Sequence, residues 1–227
     1  MGKVFNRRTN GIIKFGCRPS KLAVKQVYEI IKLFETNGIK INYTIEKIYT
    51  TGDIDKTTPI SELEGTDFFT DKIEEALLDG KIDIAIHSAK DLPDVIPTGL
   101  KIVAITNSID PYDALVVRKD LPYKNIDELP LNAKIGVCSL RRKEQLKKYR
   151  KDLIICDIRG NIDERIEKLD SSNLDAIVVA AAALIRLGMQ NRIVQRIPFE
   201  ILQPHPLQGC LAVEIRYDDE YLTEIFQ

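Results

Sequence analysis

Apolar residues recur along this chain in runs of strand length, and between the runs they recur every three or four positions. The runs predict strands near 11–16, 43–49, 82–86, 101–106, 114–118, 134–137, 153–157, 175–179 and 210–215. The segments between them predict helices. The clearest follows Ser20, which can serve as an N-cap, sets Leu22, Val24, Val27, Ile30, Ile31 and Phe34 along its length and closes at Asn37-Gly38. A second spans 68–79, and others begin near Ser139, Asn161 and Ala180. This alternation predicts an α/β fold with mixed, mostly parallel sheets.

Two echoes point to two domains of like construction. Residues 78–92, LDGKIDIAIHSAKDL, resemble 169–184, LDSSNLDAIVVAAAAL, and residues 13–22, IKFGCRPSKL, resemble 134–143, KIGVCSLRRK. Pro-containing crossings are expected near 106–112 and 198–208.

Composition narrows the function classes. The 227 residues carry 33 Lys and Arg against 34 Asp and Glu, a formal net charge of -1, so no global field favours nucleic acid or an anionic membrane. No apolar run approaches the roughly 20 residues that span a bilayer, and the N-terminal segment with Lys3, Arg7 and Arg8 is polar, which sets a cytoplasmic expectation. Cys17, Cys138, Cys156 and Cys210 show no paired spacing with His87 or His205, so neither a metal site nor a disulfide framework is expected.

Ligands of open α/β sheets bind beyond the carboxyl ends of the strands. The residues there are Cys17-Arg18-Pro19-Ser20, Thr51-Gly52-Asp53, the segment from His87 through Lys90 to Asp91, Cys138-Ser139-Leu140-Arg141-Arg142, and Arg159-Gly160-Asn161. Guanidinium forks beside Ser-capped helix starts suit carboxylate or phosphate groups. Any one of these arginines could be a solvated surface charge; their grouping favours a site. Asp91, between Lys90 and Pro93, reads either as a turn or N-cap aspartate or as a carboxylate held amid positive charge, able to steady a cation or move a proton. His87 reads as a packed or turn histidine.

The same segments resemble the porphobilinogen deaminase family. HSAKDLP at 87–93, SLRR at 139–142, RGNIDER at 159–165, LIRLG at 184–188 and LQGCLAVE at 207–214 are similar to its ordered motifs, as are GCRPSKLAVKQ at 16–26 and TTGD at 50–53. The resemblance implies two domains shaped like type II periplasmic binding proteins with an active-site cleft between them. Residues 1–107 plus 206–227 would form the first and 108–205 the second. It implies a hydroxymethylbilane synthase-like transferase of tetrapyrrole biosynthesis, condensing porphobilinogen stepwise, with loss of ammonia, into oligopyrrole intermediates and a linear tetrapyrrole. Asp91 would be the catalytic carboxylate. Arg18, Ser20, Phe69, Lys90, Ser139, Arg141, Arg142, Arg159, Gly160, Arg165, Arg186 and Gln208 would bind substrate or cofactor.

The resemblance also implies a dipyrromethane cofactor tethered to a Cys in a third, C-terminal domain, and no GGC segment of that kind occurs here. That domain would be supplied by a separate chain or removed by truncation. Otherwise the primer would bind noncovalently, or Cys17 or Cys138 would tether it. The family's lid segment reads GTDFF at 65–69, without its lysine. The competing readings are a noncatalytic two-lobed protein that holds a carboxylated pyrrole or another anion, and a subunit that needs a partner chain.

Overall fold

The computed structural model describes residues 11–55, 58 and 66–226; the basic N-terminal segment and Gly65 of the expected lid lie outside them. The described residues form two compact units: one includes 11–55, 66–107 and 210–226, the other 108–209.

In the first unit, β1 (Ile12–Cys17) alternates, with Ile13, Phe15 and Cys17 buried. It pairs in parallel with β2 (Asn42–Lys47) and β3 (Ile84–Ser88). Then β10 (Leu211–Arg216) runs antiparallel to both β3 and β4 (Leu100–Ile105), giving the order β2-β1-β3-β10-β4. One face of the sheet is covered by α1 (Lys21–Thr36), whose Val27, Ile30, Ile31 and Phe34 are buried, and by Leu222 of α7 (Glu220–Ile225). The other face packs on Ile73 and Leu77 of α3 (Asp71–Leu78). Ser20 caps α1, its Oγ accepting from the Ala23 N–H at 3.1 Å. This satisfies one of the donors that a helix start leaves without a partner.

The second unit repeats the plan. Here β6 (Lys134–Val137) pairs in parallel with β7 (Ile154–Asp157) and β8 (Ala176–Ala180). Next to β8 lies the antiparallel β5 (Asp113–Val117), followed by the two-residue β9 (Gln195–Arg196), so the order is β7-β6-β8-β5-β9. The runs DALVV and AIVVA are buried throughout, as strands covered on both faces must be. One cover includes Leu146 of α4 (Leu140–Tyr149); the other includes Ile166 and Leu169 of α5 (Ile162–Ser171) and Leu184 of α6 (Ala181–Arg186).

The two orders match position by position, with β1 equivalent to β6 and β3 to β8. These pairs of strands carry the two sequence echoes. The antiparallel strands β10 and β5 occupy the same place in their respective sheets. The short β9, α7 and α2 (Thr51–Ile54) carry too few periodic positions to be expected from pattern. Among the described residues, no helix is long and apolar enough to cross a membrane.

Candidate functional site

In the first unit, the carboxyl ends of β1 and β3 open onto a cavity of about 70 Å³. Arg18, Ser20, Phe69, His87, Ser88 and Asp91 all line it. Asp91 ends a single 3₁₀ turn, Ala89–Asp91, anchored by the Ala89 N–H, which donates to the Cys210 carbonyl at 3.1 Å. Lys90 is the half-buried middle residue of that turn. Gln26, buried on α1, donates to Ser88 Oγ at 2.8 Å.

Arg18 is held from two sides. Its Nε lies 3.1 and 3.2 Å from the two carboxylate oxygens of Asp53, and its guanidinium sits 4.7 Å from the centroid of the Phe69 ring. Burial would push the Asp53 carboxyl up, but the Arg18 bonds and charge, with further bonds from Thr50, hold it below the usual carboxylate range. Gly52 is required beside it, because a Cβ there would lie 2.4 Å from the Phe69 ring. The TTGD motif thus keeps Arg18 and Phe69 in contact.

In the cavity wall, His87 Nε2 lies 3.0 Å from Glu214 Oε2, with both residues buried. Glu74 of α3 is buried in the same region, and burial, reinforced by the Glu214 charge, pushes its carboxyl up. A carboxyl whose pKa is raised by folding contributes fully below its ordinary value of 4.5, and that contribution is lost as pH rises through the folded-state value. Glu74→Gln is therefore expected to gain stability relative to the parent as urea denaturation is repeated from pH 4.5 to pH 8. A difference that stays constant with pH would contradict a Glu74 carboxyl raised by folding.

Cys17 is a poor candidate for a tether: burial pushes its thiol up to about 11, against a smaller opposing pull from Lys47.

The second unit gathers most of the expected arginines. Ser139 caps α4, its Oγ accepting from the Arg142 N–H at 3.3 Å. Arg141 and Arg142 converge on Asp113, whose side chain is fully buried: Arg141 NH2 lies 2.8 Å from Oδ2, and Arg142 Nε and NH2 lie 2.9 and 2.6 Å from Oδ1. Arg142 NH2 also reaches Gln208 Oε1 at 3.3 Å, and its NH1 lies 3.7 Å from Cys138 Sγ. Arg165 joins from α5, donating from Nε to the Gly160 carbonyl at 2.8 Å and from NH1 to Cys138 Sγ at 3.0 Å. Arg186 donates to the Gly209 carbonyl at 2.9 Å. Arg159 is half-buried in the β7–α5 connection, its carbonyl accepting from Lys168. The next residue, Gly160, has φ 112°, a conformation that favours glycine.

The structure thus brings Ser139, Arg141, Arg142 and Gln208 together around Asp113, with Arg165 linked through Cys138. It buries Arg142 and Gln208, both expected as ligands, with their polar groups directed to protein partners. Asp113 escaped the sequence reading, although an aspartate opening a wholly apolar run was a usable signal. Among the described residues, no group of three or more His, Cys, Asp or Glu is arranged to hold a metal ion.

A family model described as "Porphobilinogen deaminase, dipyromethane cofactor binding domain" matches residues 13–224. The chain belongs to the porphobilinogen deaminase family. A relative named porphobilinogen deaminase from Natranaerobius thermophilus is 46% identical over 213 residues, covering 93% of this chain and 68% of the relative. Another of that name, from Clostridioides difficile, is 40% identical over 213 residues, covering 94% and 70%.

Solved structures of low identity share the type II periplasmic binding protein fold. An ABC transporter periplasmic substrate-binding protein from Coxiella burnetii is 14% identical with a TM-score of 0.57, covering 94% of this chain and 90% of that one. A nutrient binding protein from Burkholderia cenocepacia, bound to methionine, is 14% identical with a TM-score of 0.54, covering 94% and 89%. The fold expected for a porphobilinogen deaminase family member is therefore the fold observed.

Proposed function

We propose that this chain is a transferase that condenses porphobilinogen with loss of ammonia, and that Asp91 is its catalytic acid. The observation that carries the reading is that Asp91 lines one cavity with Arg18, Ser20 and Phe69, at the carboxyl ends of two parallel strands. An acid at that place has a use in the reaction: its proton goes to the departing amine, and the carboxylate left behind steadies positive charge on the pyrrole. A protein that only bound carboxylates would gain nothing from a like charge there.

Each porphobilinogen carries two carboxylates, so a lengthening product accumulates negative charge that many cationic donors must offset. Arg141, Arg159, Arg165 and Arg186, with Ser139, are proposed to hold acetate and propionate groups, and Arg18, Ser20 and Lys90 to do so in the first unit. Arg18 is well prepared for this, because Asp53 and Phe69 restrict its side chain before any ligand arrives.

The donor set fits a dipyrromethane's carboxylates, and Arg18, Ser20 and Phe69 are the residues of the first unit proposed to hold it. When bound, that group would supply the free pyrrole carbon from which the chain grows. Attachment through Cys17 finds little support, since it is buried with a raised thiol pKa.

Incubation with porphobilinogen tests the proposal. Ammonia should be released in step with porphobilinogen loss, and intact mass should show whether a pyrrole adduct forms on the protein. Saturable porphobilinogen binding with no ammonia release would overturn the enzymatic reading in favour of a binding protein.

A further inference from the structure

Asp113 sits where two adjacent arginines need opposite things. A guanidinium has five N–H donors and no acceptor. Those of Arg142 are directed to Asp113 Oδ1, Gln208 Oε1 and Cys138 Sγ, and the side chain is 3% exposed. Arg141 is oriented by Asp113 Oδ2 on one side and by the Gln203 carbonyl on the other, yet its side chain is 24% exposed. One carboxylate oxygen therefore serves each arginine. One negative and two positive charges leave the group a net charge of one positive, so it still attracts anions.

We propose that Asp113 is a positioning residue for carboxylate binding: it braces against buried Arg142 and holds the exposed guanidinium of Arg141 in one orientation. An unbraced arginine would lose rotamer freedom each time it bound a carboxylate; one held beforehand has already lost it. The backbone makes the placement stiff. Asp113 begins β5 opposite Ala180, at the edge of the sheet where β6 delivers Cys138 and the start of α4. Gln208 closes the far side, its Nε2 donating to the Pro111 carbonyl at 2.7 Å. The inference rests on the carboxylate-binding role proposed above for Arg141 and adds what fixes that residue.

A comparison of Arg142→Gln with Arg142→Gln/Asp113→Asn tests it without leaving a buried charge alone. In the first variant Asp113 still pairs with Arg141; in the second the amide at position 113 faces only the partly exposed Arg141. Porphobilinogen binding, measured by calorimetry on the full chain, should be about tenfold weaker in the double variant than in Arg142→Gln, the scale of a charge-assisted hydrogen bond. Adding Arg141→Gln to both should abolish that difference, and KM should rise with little change in kcat. A double variant that binds as tightly as Arg142→Gln overturns the proposal. So does a tenfold loss that persists when Arg141 is replaced by Gln, because Asp113 would then act on structure generally. If the parent itself neither binds nor consumes porphobilinogen, the functional reading fails first and the proposal falls with it.

Discussion

Asp91→Asn is expected to slow porphobilinogen consumption by about two to four orders of magnitude while leaving porphobilinogen binding within a few-fold of the parent. Asparagine keeps the size and dipole of the side chain but can neither give up nor receive the proton that the departing amine needs. The other polar residues of the cavity offer no ready replacement. His87 is engaged by Glu214, and the Arg18 guanidinium is engaged by Asp53. Initial rates of porphobilinogen loss, set beside calorimetric binding, separate the two effects. A variant that consumed porphobilinogen at the parent's rate would remove Asp91 from the chemistry, whatever its affinity.

The second large effect falls on stability. Asp113→Ala is expected to lower the unfolding free energy by about 3–5 kcal/mol, because Arg142 would remain buried with its charge uncompensated. The pH dependence follows from the same contact. Burial would push the Asp113 carboxyl up, but the charges and hydrogen bonds of Arg142 and Arg141 hold it below the usual carboxylate range. A lowered carboxyl contributes fully above its ordinary value near pH 4, and the contribution is lost as pH falls through the lower, folded-state value. Urea denaturation at pH 7 and at pH 3 should therefore show a large gap between parent and Asp113→Ala at the higher pH and a smaller one at the lower. A loss below about 1 kcal/mol at pH 7 would mean that Arg142 finds water or another acceptor when the carboxylate is removed.

The two large effects come from two kinds of residue. Asp91 lies after a parallel strand, where the chain turns out of the sheet into the adjoining cavity. Asp113 opens an antiparallel strand. A search along the sequence for residues that follow strands finds the first and passes over the second. Yet β5 runs opposite to β8, so its first residue lies at the same edge of the sheet as the last residue of β8. Leu211, opening the equivalent antiparallel strand β10, likewise pairs with Ser88 at the end of β3. This explains why Gln208, a short way before β10, was found only through a motif.

Burial separates the arginines in the same way. Arg141 and Arg142 are neighbours in sequence and alike in composition, and nothing local distinguishes them. Helix geometry turns successive side chains by about 100°, so Arg142 is buried against the sheet while Arg141, which also bonds Asp113, stays partly exposed. The Glu74–His87–Glu214 cluster is comparable. Its members lie far apart along the chain, His87 and Glu214 by 127 positions, and meet because β3 and β10 are neighbours and α3 packs on that face.

Local physics in the sequence was enough to determine the elements that carry the chemistry. Apolar period placed β1, β3, β6 and β8, hydroxyl caps placed the starts of α1 and α4, and clustered arginines after strands signalled an anion site. Each of these depends on residues within a few positions of one another. The tertiary structure decided which polar side chains pair: Asp53 with Arg18, Asp113 with both Arg141 and Arg142, and Glu214 with His87. Such pairs join residues 28 to 127 positions apart, and only the order and direction of strands in the finished sheets brings their polar groups within hydrogen-bonding distance.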